Sequence, residues 1–347
     1  TDVYDGIAGF LIGENLALTG SPSINMDTNA NSANELGFDL KSFVTMKAKI
    51  VCQEEYLLGG YGTLQSKDYT VFDFCEDNRA VDRYLIDNEN FYGPNYLGIP
   101  FISAAFYHLA LLFNSPPIHF VPLLTNSMIL AVSCLLIFLL GKHLFSSEKI
   151  GFVLALFFGV TSFIWPYITS LYSRPLAILF FLIMLYLVLT YNKNSKLIVP
   201  LFAGLALGFS FISHNFFVYF LPGFLIFGIY KFKNDKKVIA IFILGTLIMI
   251  GLFLTINYLR FGDPTYLGLG GQLSDAGLYI EYHQWSRNLE GLYGLLLSPG
   301  KSFFIYYPLA VLFPFGLYYL YKKDKSTTIL FLYMTLVCYI FIGTNPL

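Results

Sequence analysis

Beyond residue 118 the chain alternates between long charge-free apolar runs and short polar connectors. The runs are His119–Gly141, Ile150–Pro166, Pro175–Tyr191, Leu197–Ser213, Phe216–Tyr230, Val238–Leu259, Phe303–Tyr321 and Thr327–Ile342. A helix that crosses a bilayer needs about 20 mostly apolar residues. One Lys or Asp at its centre costs about 2.5–3.5 kcal/mol on the insertion scale, and these runs carry no charge. A large soluble helical core would need charged outer faces, which such runs cannot supply. The pattern predicts a bundle of about eight membrane helices over 119–347.

Residues 1–118 read differently. Tyr4–Leu18 has the spacing of an amphipathic helix, with Ile7, Phe10, Leu11 and Leu18 near one face, and Thr19-Gly-Ser-Pro22 ends it. Phe43–Cys52 suits a strand or a short helix, and Tyr69–Phe74 alternates like a strand. Leu97–Phe113 is apolar, follows a Gly-Pro-Asn turn and contains Pro100. It is short for a span, and suits a helix lying on or dipping into the membrane surface.

Charge adds a direction. The whole chain of 347 residues sums to a net charge of -1. Residues 1–96 hold fifteen Asp or Glu against six Lys or Arg, and residues 97–347 hold seven against fifteen. The first region is therefore expected in water and the second in lipid. Only 12% of the residues are charged and 56% are hydrophobic, which excludes an ordinary soluble domain, and the net charge excludes a basic nucleic-acid binder. Four connectors carry eleven lysines: Lys142 and Lys149; Lys193 and Lys196; Lys231, Lys233, Lys236 and Lys237; Lys322, Lys323 and Lys325. They alternate with connectors that carry none, so the lysine side is expected to be cytoplasmic. The opposite connectors, around Ser170–Arg174, His214–Asn215 and Arg260–Ser302, are then extracytoplasmic. If Leu97–Phe113 crosses, residues 1–96 are cytoplasmic; if it does not, they are extracytoplasmic. The charge pattern permits both.

The chain opens on Thr1 and on polar residues. It is read as an internal fragment, expected to lack an upstream membrane helix and its C-terminal part. Cys52 and Cys75 can pair if their segment is extracytoplasmic, or stay free thiols. Cys134 and Cys338 lie in apolar runs and read as buried filler.

The chain has no P-loop, dinucleotide fingerprint or Gly-x-Ser-x-Gly elbow, and its histidines lack zinc-ligand spacing. The absence of charge inside the runs argues against an ion-coupled transporter. Polar candidates collect on the extracytoplasmic side. Thr1-Asp-Val-Tyr-Asp5 supplies Asp2 and Asp5, and an interfacial carboxylate can act as a general base, or simply favour a helix N-terminus. Tyr92-Gly-Pro-Asn-Tyr96 supplies Tyr92 and Asn95 for a pocket, or is a turn. The 260–302 loop supplies Arg260, His283, Arg287 and Lys301. These cations suit a phosphate headgroup whose tail stays in the bilayer, or snorkel at helix ends, and Arg174 invites the same two readings.

Four stretches carry a resemblance. Asp5-Gly-Ile-Ala-Gly-Phe-Leu-Ile-Gly-Glu-Asn-Leu-Ala-Leu-Thr-Gly20 resembles the first outer loop of the C-type membrane glycosyltransferases, with Asp5, Leu16 and Gly20 at the family spacing and Gly13 where Ala is usual. Tyr92-Gly-Pro-Asn-Tyr-Leu-Gly-Ile-Pro100 is similar to the family's Tyr-Pro-Pro-Gly-Leu-Pro stretch. Asn257-Tyr-Leu-Arg-Phe-Gly-Asp-Pro264 resembles its Asn-x-x-Arg-Phe-Gly-x-Pro. Leu297-Ser-Pro-Gly-Lys-Ser-Phe-Phe-Ile-Tyr-Tyr-Pro308 resembles a Ser-Pro-Gly-(Arg/Lys)-Gly-x-x-x-Tyr-x-Pro segment of related hypothetical transferases. These stretches are similar to those of protein O-mannosyltransferases and lipid A aminoarabinose transferases.

The resemblance implies an all-α polytopic membrane protein. Residues 1–118 form a large first extracytoplasmic loop with juxtamembrane helices, among them a non-spanning 97–113. Residues 119–347 form the bundle, with an outer loop at 260–302. It also implies a polyprenyl-phosphate sugar donor and a glycan, lipid or protein acceptor. Asp5 is then the base, transfer proceeds with inversion, and Arg260 or Lys301 stabilises the leaving phosphate. No metal or other cofactor is required. Gly6 breaks the family's acidic pair, and Asp2 can supply the second carboxylate. Some relatives have an acidic residue where this chain has Arg174. The implied location is a prokaryotic cell membrane, with the lipid bilayer itself as a partner. The rival expectations are a non-enzymatic flippase or transporter of lipid-linked sugars, and a membrane assembly subunit.

Overall fold

The structure is a computed structural model. It describes residues 2–21, 23–25, 28–36, 90–91, 98–161, 171, 173–192, 196–261, 264, 293, 304 and 311–343. About 87% of these are helical. The helices in chain order are α1 (Asp2–Thr19), α2 (Ala30–Glu35), α3 (Gly98–Leu112), α4 (Pro117–Phe145), α5 (Glu148–Thr161), α6 (Ser173–Thr190), α7 (Ile198–Ser213), α8 (Leu221–Lys231), α9 (Lys236–Phe261), α10 (Phe313–Lys323) and α11 (Lys325–Gly343). A 3₁₀ turn, Asn215–Tyr219, precedes α8. Strands β1 (Ile24–Asn25) and β2 (Asn90–Phe91) pair antiparallel, Ile24 with Phe91 and Asn25 with Asn90.

Each of the eight apolar runs yields a helix, and the chain is an all-α membrane protein. Among the described residues, α4, α6 and α9 are long and apolar enough to cross a bilayer. α3, α7 and α8 are shorter apolar helices. The run Phe216–Tyr230 does not form one long helix: α8 begins only at Leu221, with Pro222 in its first turn. Proline has no N–H to give and its ring crowds the preceding turn, so it suits the start of a helix rather than its middle. Pro314 plays the same part at the start of α10.

The central helices pack in the order α5, α4, α6, α7, α9, with α8 against α6, α7, α9 and α11, and α10 against α11 and α4. Their core holds Leu176, Met184, Leu185, Leu207, Phe224 and Phe242, all buried. The outer faces are apolar as well. α5 exposes Phe152, Val153, Leu156 and Val160, and α9 exposes Leu244, Leu247, Ile248 and Leu252. Such surfaces suit hydrocarbon rather than water.

When lipid surrounds a bundle, apolar burial no longer favours one helix contact over another, and small residues that let backbones approach take over. α7 and α9 meet in this way. A Cβ on Gly204 would fall 2.0 Å from the Phe242 carbonyl oxygen, one on Gly208 2.5 Å from Met249 Cβ, and one on Gly245 2.5 Å from the Leu201 carbonyl oxygen. α4 and α5 meet through Gly141 and Gly151, where an added Cβ on Gly141 would lie 2.8 Å from Gly151 Cα.

The four lysine connectors gather at one end. Lys231 is bonded to Asp324, Lys323 Nζ donates to Ser146 Oγ at 3.2 Å, and the rings of Tyr191 and Phe232 meet edge to face at 5.2 Å. Two aspartates there serve as helix caps. Asp235 accepts from the Lys237 and Val238 amides at the start of α9. Asp324 accepts from the Ser326 and Thr327 amides at the start of α11. Burial pushes the Asp324 carboxyl up, but the bonds from Lys231, Ser326 and Thr327 outweigh it and hold the group well below the usual carboxylate range.

The close α7–α9 contact is directly testable. Gly204→Ala should force the two backbones apart and lower the melting temperature in detergent by several degrees. Gly251→Ala lies on α9 with nothing within 4 Å of the new Cβ. It should leave the melting temperature unchanged or raise it, because Ala favours a helix over Gly by about 1 kcal/mol.

Candidate functional site

A second set of polar groups lies at the end opposite the lysines. Arg174 at the start of α6 donates from Nε to His214 Nε2 at 3.4 Å, just past the end of α7. The C-terminal half of α9 packs on the same place, with Phe253 edge to face with Phe211 at 5.0 Å. α3 begins here, since a Cβ on Gly98 would strike Ser213, and Phe101 packs on the Phe211–Phe253 cluster. α3 also ends here: the rings of Phe113 and Phe120 stack where α4 begins. Both termini of α3 thus lie at this end.

α1 packs along α3 at the closest approach its side chains allow. A Cβ on Gly13 would fall 2.6 Å from Ser103 Cβ and 3.1 Å from the Pro100 carbonyl oxygen. Glycine at this position lets the two helices touch. α1 stops where expected, at Thr19, with Gly20 at φ +80° and its amide bonded to the Leu16 carbonyl. A left-handed residue after a helix is tolerated best by Gly. The amphipathic reading of α1 needs correction. Phe10 and Leu11 are buried as expected, but Leu18 is 51% exposed, and the polar Glu14 and Asn15 are buried. The helix is enclosed around residues 10–15 because α2 and β1 close over the side that α3 leaves open. Asn15 Nδ2 donates to Ser23 Oγ at 2.9 Å and to the Ser23 carbonyl at 3.1 Å, which turns the chain back over α1.

Glu14 is the buried acid at this end. Its carboxylate accepts from Asn29 Nδ2 at 2.8 Å and Ser32 Oγ at 2.5 Å, and the Tyr107 hydroxyl of α3 lies near enough to feel its charge. Burial, and then the negative charge of Glu14, push the Tyr107 hydroxyl pKa up. The sequence reading passed over this cluster. Its one visible signal is the adjacent pair Glu14-Asn15 inside an otherwise apolar stretch.

The residues singled out from the sequence fall into three groups. Asp2 and Asp5 lie one helical turn apart near the start of α1. Arg174 and Arg260 come to the same end of the bundle from α6 and α9. Tyr92, Asn95, His283, Arg287 and Lys301 lie outside the described residues, as do Cys52 and Cys75 and the segments Phe43–Cys52 and Tyr69–Phe74. Arg260 does not snorkel. It is 3% exposed and lies one turn from the equally buried Asn257, while Tyr258 and Leu259 between them face outward. The two polar positions of Asn257-Tyr-Leu-Arg260 therefore share an inward face. A buried guanidinium is tolerable only against acceptors or anions. Among the described residues, no three His, Cys, Asp or Glu side chains converge as a metal site would require. Comparison with protein-family models, curated proteins and solved structures finds no match.

His214 gives this end a pH signature. Burial, and then the positive charge of Arg174, lower its pKa from 6.5 to about 4. The unfolded chain takes up the proton at the higher pH, so between the two values it binds more protons than the folded chain. The stabilisation is complete above pH 6.5 and is lost as the pH falls toward 4. Thermal unfolding across this range should fall more steeply in the wild type than in His214→Asn. Arg174→Gln should move the His214 midpoint upward.

Proposed function

We propose that the chain is a polytopic membrane glycosyltransferase. It moves a sugar from a polyprenyl-phosphate donor to an acceptor hydroxyl at the extracytoplasmic face, opposite the lysine connectors. One observation carries this reading. α1, with its two N-terminal carboxylates, packs on a helix whose ends both lie at the end of the bundle where Arg174 and the buried Arg260 also sit. Attack on a lipid-anchored donor needs a carboxylate and cations at one water–lipid boundary, and this arrangement of helices supports such a reading. The resemblance of four separate stretches to the C-type transferases supports the same reading.

In this mechanism α1 and α3 lie along the membrane surface as juxtamembrane helices. The Asp5 carboxylate takes the proton of the acceptor hydroxyl. The acceptor oxygen forms its bond to the anomeric carbon as the bond from that carbon to the phosphate oxygen breaks. The electron pair leaves with the polyprenyl phosphate, and the configuration inverts. Asp2 supports Asp5, Arg260 and Lys301 stabilise the charge that develops on the phosphate, and Arg174 flanks it. Tyr92 and Asn95 are assigned to the acceptor pocket, and His283 and Arg287 to recognition of the phosphate headgroup.

The test is sugar transfer by the purified full chain in lipid nanodiscs, with labelled polyprenyl-phosphate sugars. Asp5→Asn should keep the wild-type melting temperature and lose about a hundredfold or more in kcat. Arg260→Ala combined with Lys301→Ala should raise the donor KM or lower kcat. Wild-type kinetics in these variants would remove the assigned roles. Movement of donor lipid across the membrane without transfer would replace the enzyme reading with the flippase one.

A further inference from the structure

The lysine end carries more charge than its own acids offset. Lys193 lies outside the described residues, and the other ten lysines of the four connectors stand against three acids, Glu148, Asp235 and Asp324. All three acids are engaged. Glu148 pairs with Lys142 at 2.7 Å, Asp324 pairs with Lys231, and Asp235 caps α9. Local pairing uses up the acids and leaves a positive patch.

Three of the lysines in this patch sit over rings. Lys233 Nζ lies 4.6 Å from the centre of the Tyr230 ring, Lys322 Nζ 4.5 Å from that of Tyr318, and Lys325 Nζ 5.3 Å from that of Tyr321. All six residues are exposed. Among the described residues, no group bonds the three tyrosine hydroxyls. Lys233 follows Lys231 by two positions, and Lys322 and Lys325 lie on either side of Asp324. The Lys231–Asp324 bond therefore sets the three pairs around the junction of two connectors. Apolar surface adjoins them. α10 exposes Phe313 and Phe315 towards its start and Tyr318, Tyr319 and Tyr321 towards its end. Its eleven residues make about 16 Å of helix, roughly half of a hydrocarbon core.

We propose that the three Lys–Tyr pairs around the Lys231–Asp324 bond form a binding surface for anionic phospholipid headgroups, with α10 as the wall along which the acyl chains lie. The ammonium groups supply charge and the phenols supply hydrogen-bond donors to phosphate. Each ring steadies the lysine above it, so less freedom is lost on binding. Tyrosine suits this level of the membrane because its ring is apolar and its hydroxyl is not. A free phosphate would meet only the polar groups, whereas a phospholipid also covers Phe313 and Phe315. This inference does not rest on the glycosyltransferase reading.

The experiment titrates the detergent-purified full chain with short-chain phosphatidylglycerol or phosphatidylcholine and counts bound lipid by native mass spectrometry. The wild type should bind phosphatidylglycerol about tenfold or more tightly than phosphatidylcholine. Lys233→Gln combined with Lys322→Gln and Lys325→Gln should abolish that preference. Tyr230→Leu combined with Tyr318→Leu and Tyr321→Leu keeps the charge and should still weaken phosphatidylglycerol binding by about threefold or more. Lys149→Gln combined with Lys196→Gln and Lys237→Gln removes the same charge from lysines that, among the described residues, sit over no ring. It should change the affinity by no more than about twofold. Equal losses in the two lysine triples would reduce the site to diffuse surface charge and overturn it, and so would equal affinity for the two lipids. Displacement of the lipid by millimolar inorganic phosphate would overturn the lipid assignment in favour of a simple phosphate site. If the first lysine triple does not fold, the tyrosine triple carries the test, and unchanged binding in it would overturn the proposal.

Discussion

The whole bundle depends on how closely the α7 and α9 backbones approach. Lipid is as apolar as Leu, so exposed residues such as Leu244, Leu247 and Ile248 gain nothing by turning inward. Cohesion must come from contact surfaces that fit better than lipid does. Gly204, Gly208 and Gly245 provide that fit by removing the side chains that would keep the helices apart. α6 packs on the far side of α7, and α8 spans α6, α7 and α9 through Phe224 and Phe227. Gly228 leaves room for the Phe242 ring between α8 and α9. The ends of α7 and α9 then carry His214, Asn257 and Arg260 to one place. The position of the polar end follows from the glycine seam beneath it.

The two ends of the bundle handle charge differently. At the lysine end, charges sit on helix termini and are neutralised locally: Asp235 and Asp324 cap helix starts, and Lys142 pairs with Glu148 across a tight connector. Opposite dipole ends and opposite side chains cancel there. At the other end Glu14 and Arg260 are buried, and Glu14 accepts bonds from Asn29 and Ser32 beyond the end of its own helix. The first arrangement keeps charge in water. The second fixes charge in a defined place, as binding or catalysis requires.

The membrane elements were legible in the sequence because a single charge inside a span is so costly that its absence is informative. The end of α1 was legible for a similar reason, since Gly20 supplies a conformation other residues avoid. The length of α8 was not, because the run Phe216–Tyr230 stays apolar through Pro222 and only backbone geometry shows where the helix begins. The polar end was harder. For Arg260 the sequence left phosphate binding and snorkelling both open, and its burial comes from α9 facing inward at Asn257 and Arg260, one turn apart. Glu14 and Asn29 are 15 residues apart, and Tyr107 lies far beyond both. No local pattern relates these three side chains. Gly13 stood out only as a departure from an expected Ala, and its reason is the Ser103 side chain and the Pro100 carbonyl across the contact.

The Lys231–Asp324 bond has a consequence for assembly. It joins the connector that follows α8 to the one that follows α10, and Lys323 reaches from the latter to Ser146 after α4. These are three separate re-entries of the chain into water, each made while later helices are still unplaced. A hairpin inserted upside down would leave Asp324 at the wrong surface, facing none of its donors, with an ionised group that must be dragged back through hydrocarbon to be matched. The closing of these bonds is therefore a checkpoint on topology: only a chain whose hairpins all entered the same way round can complete it.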